Sequence, residues 1–265
     1  MWTRLLALAR AAGTPVVNGA RYAVGLAALI GEALWTLLAA GGRLRPAARH
    51  VFYRQVYFTG VKAVPFALLL ASMVALVVAA QAPWSAAAGG EVLGTLLVVV
   101  LVRELGPVVA VTIVIARSGT AMAAELATMR VDGEVDTLSA LGIDPFEYLV
   151  VPRVLGTAVS LASLTIFFLA GALGASALLS PLLGGPAPAG LLAQVARSLH
   201  AADGAALLAK TVVPGLIIAA VACQEGLSAS RSSTDVPPAV TATVVRGFSI
   251  AFGWSTLVSA LLYLA

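Results

Sequence analysis

Four ionisable residues interrupt a long apolar run in the middle of the chain. Arg103, Glu104, Arg117 and Glu125 lie within residues 92–127, where the other side chains are apolar or small. Ionisable groups in hydrocarbon cost roughly 2.5–3.5 kcal/mol each on insertion scales, so they usually face a protein interior or a polar cavity. Arg103 and Arg117 are 14 residues apart, which is nearly four helical turns and predicts that both lie on one face. We therefore expect this segment to handle a substrate inside a membrane.

A short acidic segment follows the charged run. Asp132 is predicted to cap a helix at about 133–141, and Gly142 is predicted to end that helix and act as a hinge. Asp144 and Glu147 have the spacing of a capping box for the next helix. An isolated amphipathic helix of this length has little reason to exist unless a partner binds it. Five residues are predicted to couple it to that partner: Asp132, Glu134, Asp136, Leu138 and Leu141.

The chain lacks the motifs of an enzyme. Its nearest approach to a phosphate-binding loop, Gly204 to Thr211, has Ala209 where the second glycine belongs. The single cysteine, Cys223, excludes an intrachain disulfide, and the two histidines are far apart, so no metal site is expected. We expect no catalytic residue and no cofactor in this chain. The energy for any transport must then come from another protein.

Composition indicates an all-α integral membrane protein. The 265 residues are 60% hydrophobic and only 11% charged, against about 25% charged in soluble domains. Uncharged runs exceed the roughly 18 residues of a spanning helix, and the short alternating segments of a membrane β-barrel are not visible. The excess of basic residues marks the cytoplasmic side rather than a nucleic-acid surface.

The apolar runs predict an N-terminal region, 1–62, and a five-span permease domain, 63–265. Within the first, residues 1–21 are expected to form an amphipathic interfacial helix, and 22–42 to dip into the bilayer without crossing. An outer surface helix is expected at 189–202. Arg246 is expected to snorkel to the cytoplasmic face. The expected spans are about 63–80, 92–127, 154–180, 205–227 and 239–263, with the N-terminus inside and the C-terminus outside.

Two further features of the second span bear on its shape and packing. The span is too long for one straight crossing, and Gly106-Pro107 is the predicted kink and hinge. Gly119, Ala123 and Ala127 form a ladder of small residues that permits close helix contact.

The charged span and the acidic segment together resemble the MlaE-type permease family. The dense match covers about 50 residues, in order, and weaker similarity covers most of the rest. Its pieces are Arg103-Glu104-Leu105-Gly106-Pro107, Ala116-Arg117-Ser118-Gly119, Ala124 to Val131, Asp136, Leu138, Gly142 to Pro145, and Tyr148 to Arg153.

The resemblance implies the permease of an ABC transporter that moves phospholipid. It implies a second permease copy, identical or not, and an MCE-domain lipid-binding protein on the outer side. A cytoplasmic ATPase dimer, which binds ATP and Mg, would grip the acidic segment as a coupling helix. Arg103 and Glu104 would lie near the lipid cavity, to which we assign Arg117 as well. A bacterial inner membrane is the expected location.

This chain departs from the family pattern at a few positions. Gly133-Glu134 stand before Val135-Asp136 where the family usually has Glu-Gln, and an acid expected late in the fifth span is absent. Two other functions stay open. An ion- or proton-coupled transporter would use the four charges as a relay and would show internal repeats, which are not found. A non-transporting scaffold would not need charges inside a span.

Overall fold

The computed structural model describes residues 2–39, 46–80, 92–230 and 232–264, which form nine helices. The fold class is therefore all-α, as predicted. The helices are α1 (Trp2–Ala39), α2 (Pro46–Thr59), α3 (Val64–Ala79), α4 (residues 92–131), α5 (Glu134–Ala140), α6 (residues 146–179), α7 (Pro188–Ser198), α8 (Ala201–Leu227) and α9 (Val236–Leu264).

Six stretches of the described residues are long and apolar enough to cross a membrane. Five of them match the predicted spans to within two residues or extend beyond them, and the sixth, Gly19–Ala39, is N-terminal. The first predicted span is longer than expected, because α2 continues through the 3₁₀ turn Val61–Ala63 into α3. Residues 81–91, which follow α3, lie outside the described part of the chain.

The N-terminal region differs from the prediction. The structure has one continuous helix, α1, instead of an interfacial helix that ends near Arg21 and a separate inserted segment. Residues 40–42 of the predicted segment lie outside the described part. Between Gly19 and Ala39, α1 buries only Leu26 and Ala33. Helix α1 therefore packs at the periphery of the bundle and does not form part of its centre.

The core is built around α6 and α8, which pack closely because small residues meet at their crossings. A Cβ on Gly215 of α8 would lie 2.6 Å from the Ala158 Cα of α6. The predicted small-residue ladder of α4 packs on α8 in the same way: a Cβ on Gly226 would lie 2.9 Å from the Ala123 carbonyl oxygen. These approaches tolerate no larger side chain.

Helix α4 carries two π-helical stretches, Leu97–Leu105 and Val114–Gly119. Their i→i+5 hydrogen bonds widen the helix locally, and such turns are frequent at functional sites. The helix does not break at Gly106-Pro107; the first π stretch ends there, and Pro107 occupies the first turn of the α-helical stretch that follows. A Cβ on Gly106 would lie 2.7 Å from the Leu169 Cδ2 of α6, so glycine is required for this packing.

The elbow, residues 132–145, connects α4 to α6. Its helix, α5, agrees with the predicted 133–141 to within a residue. The predicted cap was wrong: Asp132 ends α4, and Gly133, with φ 77°, precedes α5 without a side-chain cap. Gly142 ends α5 as predicted, with φ 73° and a hydrogen bond from the Ile143 N–H to the Leu138 carbonyl. The Asp144 carboxylate accepts the Phe146 N–H at 2.9 Å and so caps α6.

The predicted surface helix 189–202 is divided in the structure. Helix α7 ends at Ser198, and α8 begins at Ala201. The division places Asp203 in the first turn of α8, where its Oδ2 accepts the His200 backbone N–H at 2.9 Å. A carboxylate is favourable at a helix N-terminus because the exposed N–H groups carry partial positive charge.

Candidate functional site

The first predicted site residue, Arg103, forms an ion pair inside the bundle. Its Nε lies 2.7 Å from Asp203 Oδ1, and its Nη2 donates to Oδ2 at 3.4 Å. The Asp203 side chain is almost fully buried. The pair joins the first π stretch of α4 to the start of α8, so the two charges compensate each other where water is scarce.

The neighbouring residue, Glu104, binds a second cation. Lys210 Nζ donates to Glu104 Oε1 at 2.9 Å and to the Arg103 carbonyl at 2.6 Å. In a regular helix that carbonyl would accept from residue 107, but Pro107 has no N–H to donate. Proline and the π stretch thus leave an acceptor for the Lys210 ammonium, whose side chain is 1% exposed.

A third helix completes this arrangement. Ser259 of α9 lies 3.0 and 3.1 Å from the two carboxylate oxygens of Glu104, and its hydroxyl donates there. The Glu104 side chain is about one-third exposed, at 37%, so the carboxylate remains accessible. We call Arg103, Glu104, Asp203, Lys210 and Ser259 the charge cluster. It joins α4, α8 and α9, and any relative motion of these helices must break or remake its contacts.

Arg117 does not join the charge cluster. Its guanidinium carbon lies 5.1 Å from the centre of the Phe58 ring of α2. The predicted shared face of Arg103 and Arg117 was wrong, since the two side chains contact different helices. The two π stretches explain the error, because they take more residues per turn than the α-helix assumed in the spacing argument.

The predicted coupling residues divide into two groups. Asp132, Glu134 and Leu141 are exposed, and Leu141 is 70% exposed. The other two face the protein: Leu138 packs against the core with Val135, and Asp136 accepts from Arg130 at 2.6 Å. The elbow therefore has two sides. The anchored side holds Val135, Asp136 and Leu138, and the free side holds Asp132, Glu134 and Leu141, which combine acidic and apolar groups.

A second polar site lies between α2, α4 and α6. Arg153 is buried, and its Nη2 lies 3.2 Å from Glu125 Oε1, while its Nη1 donates to the Leu149 carbonyl. Arg54 of α2 lies 4.0 Å from the same carboxylate oxygen. A cavity of about 240 Å³ opens beside them and is also lined by His50, Tyr148 and Phe58, among others.

A third group of polar side chains fixes α1. The Tyr22 hydroxyl donates to Glu225 Oε1 at 2.7 Å, and Arg246 of α9 donates to the same oxygen. The guanidinium carbon of Arg246 also lies 4.6 Å from the centre of the Tyr22 ring. The expectation of a snorkelling Arg246 overlooked these partners, which bind α1 to α8 and α9.

Sequence reasoning missed Asp203, Lys210 and Ser259 of the charge cluster. A signal for the first two was present: they are seven residues apart, two turns of one helix face, and their charges are opposite to those of Arg103 and Glu104. Ser259 gave no signal, because serine is common in apolar helices. Within the described residues, no group of three or more His, Cys, Asp or Glu side chains is placed to hold a metal.

The sequence profile of the family described as permease MlaE matches residues 52–261, which include the charge cluster and the elbow. The chain belongs to the MlaE permease family. The permease is similar to a probable ABC transporter permease protein of Rickettsia typhi, with 30% identity over 235 residues, 87% of this chain and 90% of that protein. It is also similar to one of Synechocystis, with 32% identity over 200 residues, 75% and 76% of the two chains.

A plant protein is also similar to part of the permease. The chloroplastic protein trigalactosyldiacylglycerol 1 of Arabidopsis thaliana is 35% identical over 153 residues, which cover 58% of this permease and 44% of the plant protein. The permease therefore matches less than half of that relative. Family membership makes the chain a multi-pass transport subunit rather than an enzyme, and an ABC permease implies a partner ATPase.

Proposed function

We propose that this permease moves phospholipid, driven by a cytoplasmic ATPase dimer that binds the free side of the elbow. The lipid passes to or from an MCE-domain protein on the outer side, and two permease copies enclose its path. ATP and Mg belong to the ATPase. The proposed orientation has the N-terminus in the cytoplasm of a bacterium and the C-terminus in the periplasm.

The observation that carries this proposal is the two-sided elbow. Val135 and Leu138 bind α5 to the core, while Glu134, Leu141 and Ile143 point outward. Large apolar side chains exposed beside acidic ones are typical of a docking surface. Because α5 lies between α4 and α6, a partner that pushes on it would move both helices together.

The charge cluster supports a lipid substrate. A headgroup requires a cation for its phosphate and an acceptor for an amine, and Arg103 and Glu104 provide both beside the apolar side chains of α4. Both groups are paired in this structure, so the lipid would compete with Asp203 and Lys210 for them. The name of the Arabidopsis relative refers to a galactolipid, which fits a lipid substrate.

The relay of an ion-coupled transporter finds no support in this arrangement. Arg103 and Glu104 pair with side chains of α8, whereas Glu125 pairs with Arg153 of α6. Arg117 contacts the Phe58 ring instead. The four charges expected to form one relay thus belong to three separate groups of contacts.

Cysteine cross-linking tests the docking surface. Leu141→Cys places a reactive group on the free side of the elbow, and Leu182→Cys is the control on the outer side of the proposed orientation, because Leu182 is 79% exposed in the turn after α6. The native Cys223 is buried and contributes little background. We expect a cross-link to the co-expressed ATPase from position 141 and none from 182. Equal cross-linking, or a cross-link from 182 alone, would disprove the docking role.

A further inference from the structure

Two cations lie close to one aromatic ring in the last turn of α2. Arg117 lies 5.1 Å from the centre of the Phe58 ring, and Lys62 Nζ lies 5.7 Å from the same centre. Lys62 also lies 5.6 Å from the centre of the Tyr57 ring. Aromatic faces attract cations at these distances, but they supply no net negative charge. The Phe58 site, which we define as Phe58, Lys62 and Arg117, therefore carries two uncompensated positive charges.

The lack of a counter-charge distinguishes Arg117 from the other buried or half-buried cations of the spans. Arg103, Arg153, Lys210 and Arg246 each have a carboxylate within 4 Å. Neither Arg117 nor Lys62 has one among the described residues. In addition, Arg117 Nη1 is buried and donates no hydrogen bond to any described group. A guanidinium in apolar surroundings without a partner is costly, so this site is suited to an anion from outside the chain.

The surroundings of the site suit a headgroup with tails. Phe58 also lines the cavity of about 240 Å³. Sites that enclose a whole ligand have roughly 300–1,000 Å³, so this cavity suits a headgroup rather than a whole lipid. A stripe of exposed apolar side chains also follows Lys62 along α3. Its members follow the three- and four-residue spacing of one helix face: Phe66, Leu69, Met73 and Leu76.

We propose that the Phe58 site binds the phosphoryl group of an anionic membrane lipid, whose tails lie along the exposed stripe of α3. The site is distinct from the charge cluster, since Arg117 is about 20 Å further along α4 than Arg103, toward the elbow. Its assignment to the inner leaflet rests on the orientation under the proposed function. In that orientation the Phe58 site is the place on the cytoplasmic side where a lipid binds before transport or from which it leaves after transport.

A lipid titration tests this site without ATP or the ATPase, so a failure of the transport proposal leaves the test intact. Native mass spectrometry of the detergent-purified permease gives the apparent Kd for phosphatidylglycerol and for phosphatidylcholine of equal chain length. The wild type should prefer phosphatidylglycerol. Lys62→Gln/Arg117→Gln should weaken phosphatidylglycerol binding at least about tenfold, because two charged contacts are lost. Arg49→Gln removes an exposed α2 cation and should change the Kd less than about twofold.

Other measurements separate the outcomes. Inorganic phosphate at the same concentrations should not displace the lipid; displacement would show a soluble-anion site and overturn the lipid assignment. Equal affinity of the wild type for the two lipids would also overturn it, whatever the variants do. If the double variant does not fold, Phe58→Leu provides a second test. It keeps both charges and removes the aromatic ring that both contact, and it is expected to weaken binding of phosphatidylglycerol severalfold. Wild-type binding by Phe58→Leu and by a folded double variant would contradict the site.

Discussion

At the scale of single residues, the charges inside the spans are held by partners from distant helices. Arg103 pairs with Asp203 and Glu104 with Lys210, about a hundred positions along the chain. The sequence predicted that Arg103 and Glu104 face a protein interior or a polar cavity, because the residues on both sides are apolar. It did not identify their partners, since pairing depends on which helix faces which. Arg117 shows the same limit, because the π stretches rotate its side chain away from the expected face.

The contact between Lys210 and Glu104 predicts a large effect of a neutral substitution. Lys210→Met keeps the side-chain length but removes the cation that pairs with Glu104 and the N–H donor to the Arg103 carbonyl, so that Glu104 keeps only the Ser259 hydroxyl. Removing one partner of a buried pair costs about 3–5 kcal/mol, and the partial exposure of Glu104 reduces the expected loss to about 2 kcal/mol. Thermal unfolding in detergent measures it. The chain's other lysine provides the control: Lys62→Met, at an exposed position without a carboxylate partner, should change stability by less than about 0.5 kcal/mol. Equal losses would contradict the pairing.

At the scale of elements, the sequence predicted the glycine that ends α5. It did not predict the residue that precedes α5 or the continuity of α1. Gly142 follows the last apolar residue of α5 and takes the left-handed conformation that ends helices, as its sequence position indicates. Asp132 had the right residue type for a cap, but Gly133 takes the turn conformation instead and leaves Asp132 at the end of α4. The continuity of α1 across Arg21 could not be predicted, because an arginine is compatible with either a helix interior or a boundary.

Alanine at Gly106 and at Gly142, the two glycines predicted to act as hinges, should destabilise the permease for different reasons. Gly142→Ala forces a side chain into the left-handed region and should cost about 1–2 kcal/mol. Gly106→Ala should cost about 1–3 kcal/mol because its Cβ would meet Leu169 and the Leu101 carbonyl. Gly174→Ala is the control, since α6 leaves open space at that position. Thermal unfolding compares all three, and a loss at Gly174 equal to the others would contradict the packing described for α4.

Helix α1 contacts α8 through the Tyr22–Glu225 hydrogen bond as well as through apolar side chains. Glu225→Gln removes the charge that holds Arg246, so α1 should detach more often. We expect amide hydrogen exchange in residues 19–39 to rise about tenfold, which corresponds to about 1.4 kcal/mol of local stability. Tyr22→Phe keeps the ring beside Arg246 and should raise exchange by a smaller factor. Unchanged exchange in Glu225→Gln would show that apolar contacts alone hold the helix.

At the scale of the whole molecule, composition was enough for the fold class. A chain with 11% charged residues and uncharged runs of spanning length has few alternatives to a helical membrane bundle. The site was predictable in part: the charged span and the elbow came from the sequence, whereas the division of the elbow into an anchored and a free side required the packing of Val135 and Leu138. That division matters for function, because only the free side is available to another protein.

The central claim is that work done on the elbow by an ATPase moves lipid through the bundle. Its most direct test is transfer of a labelled phospholipid between proteoliposomes containing the permease with its ATPase and MCE partner, and acceptor vesicles. We expect transfer to require ATP, and Glu134→Lys/Leu141→Ser to slow it at least about tenfold, since two docking contacts are lost. Transfer by the permease alone along an ion gradient, or wild-type rates in the double variant, would contradict the account.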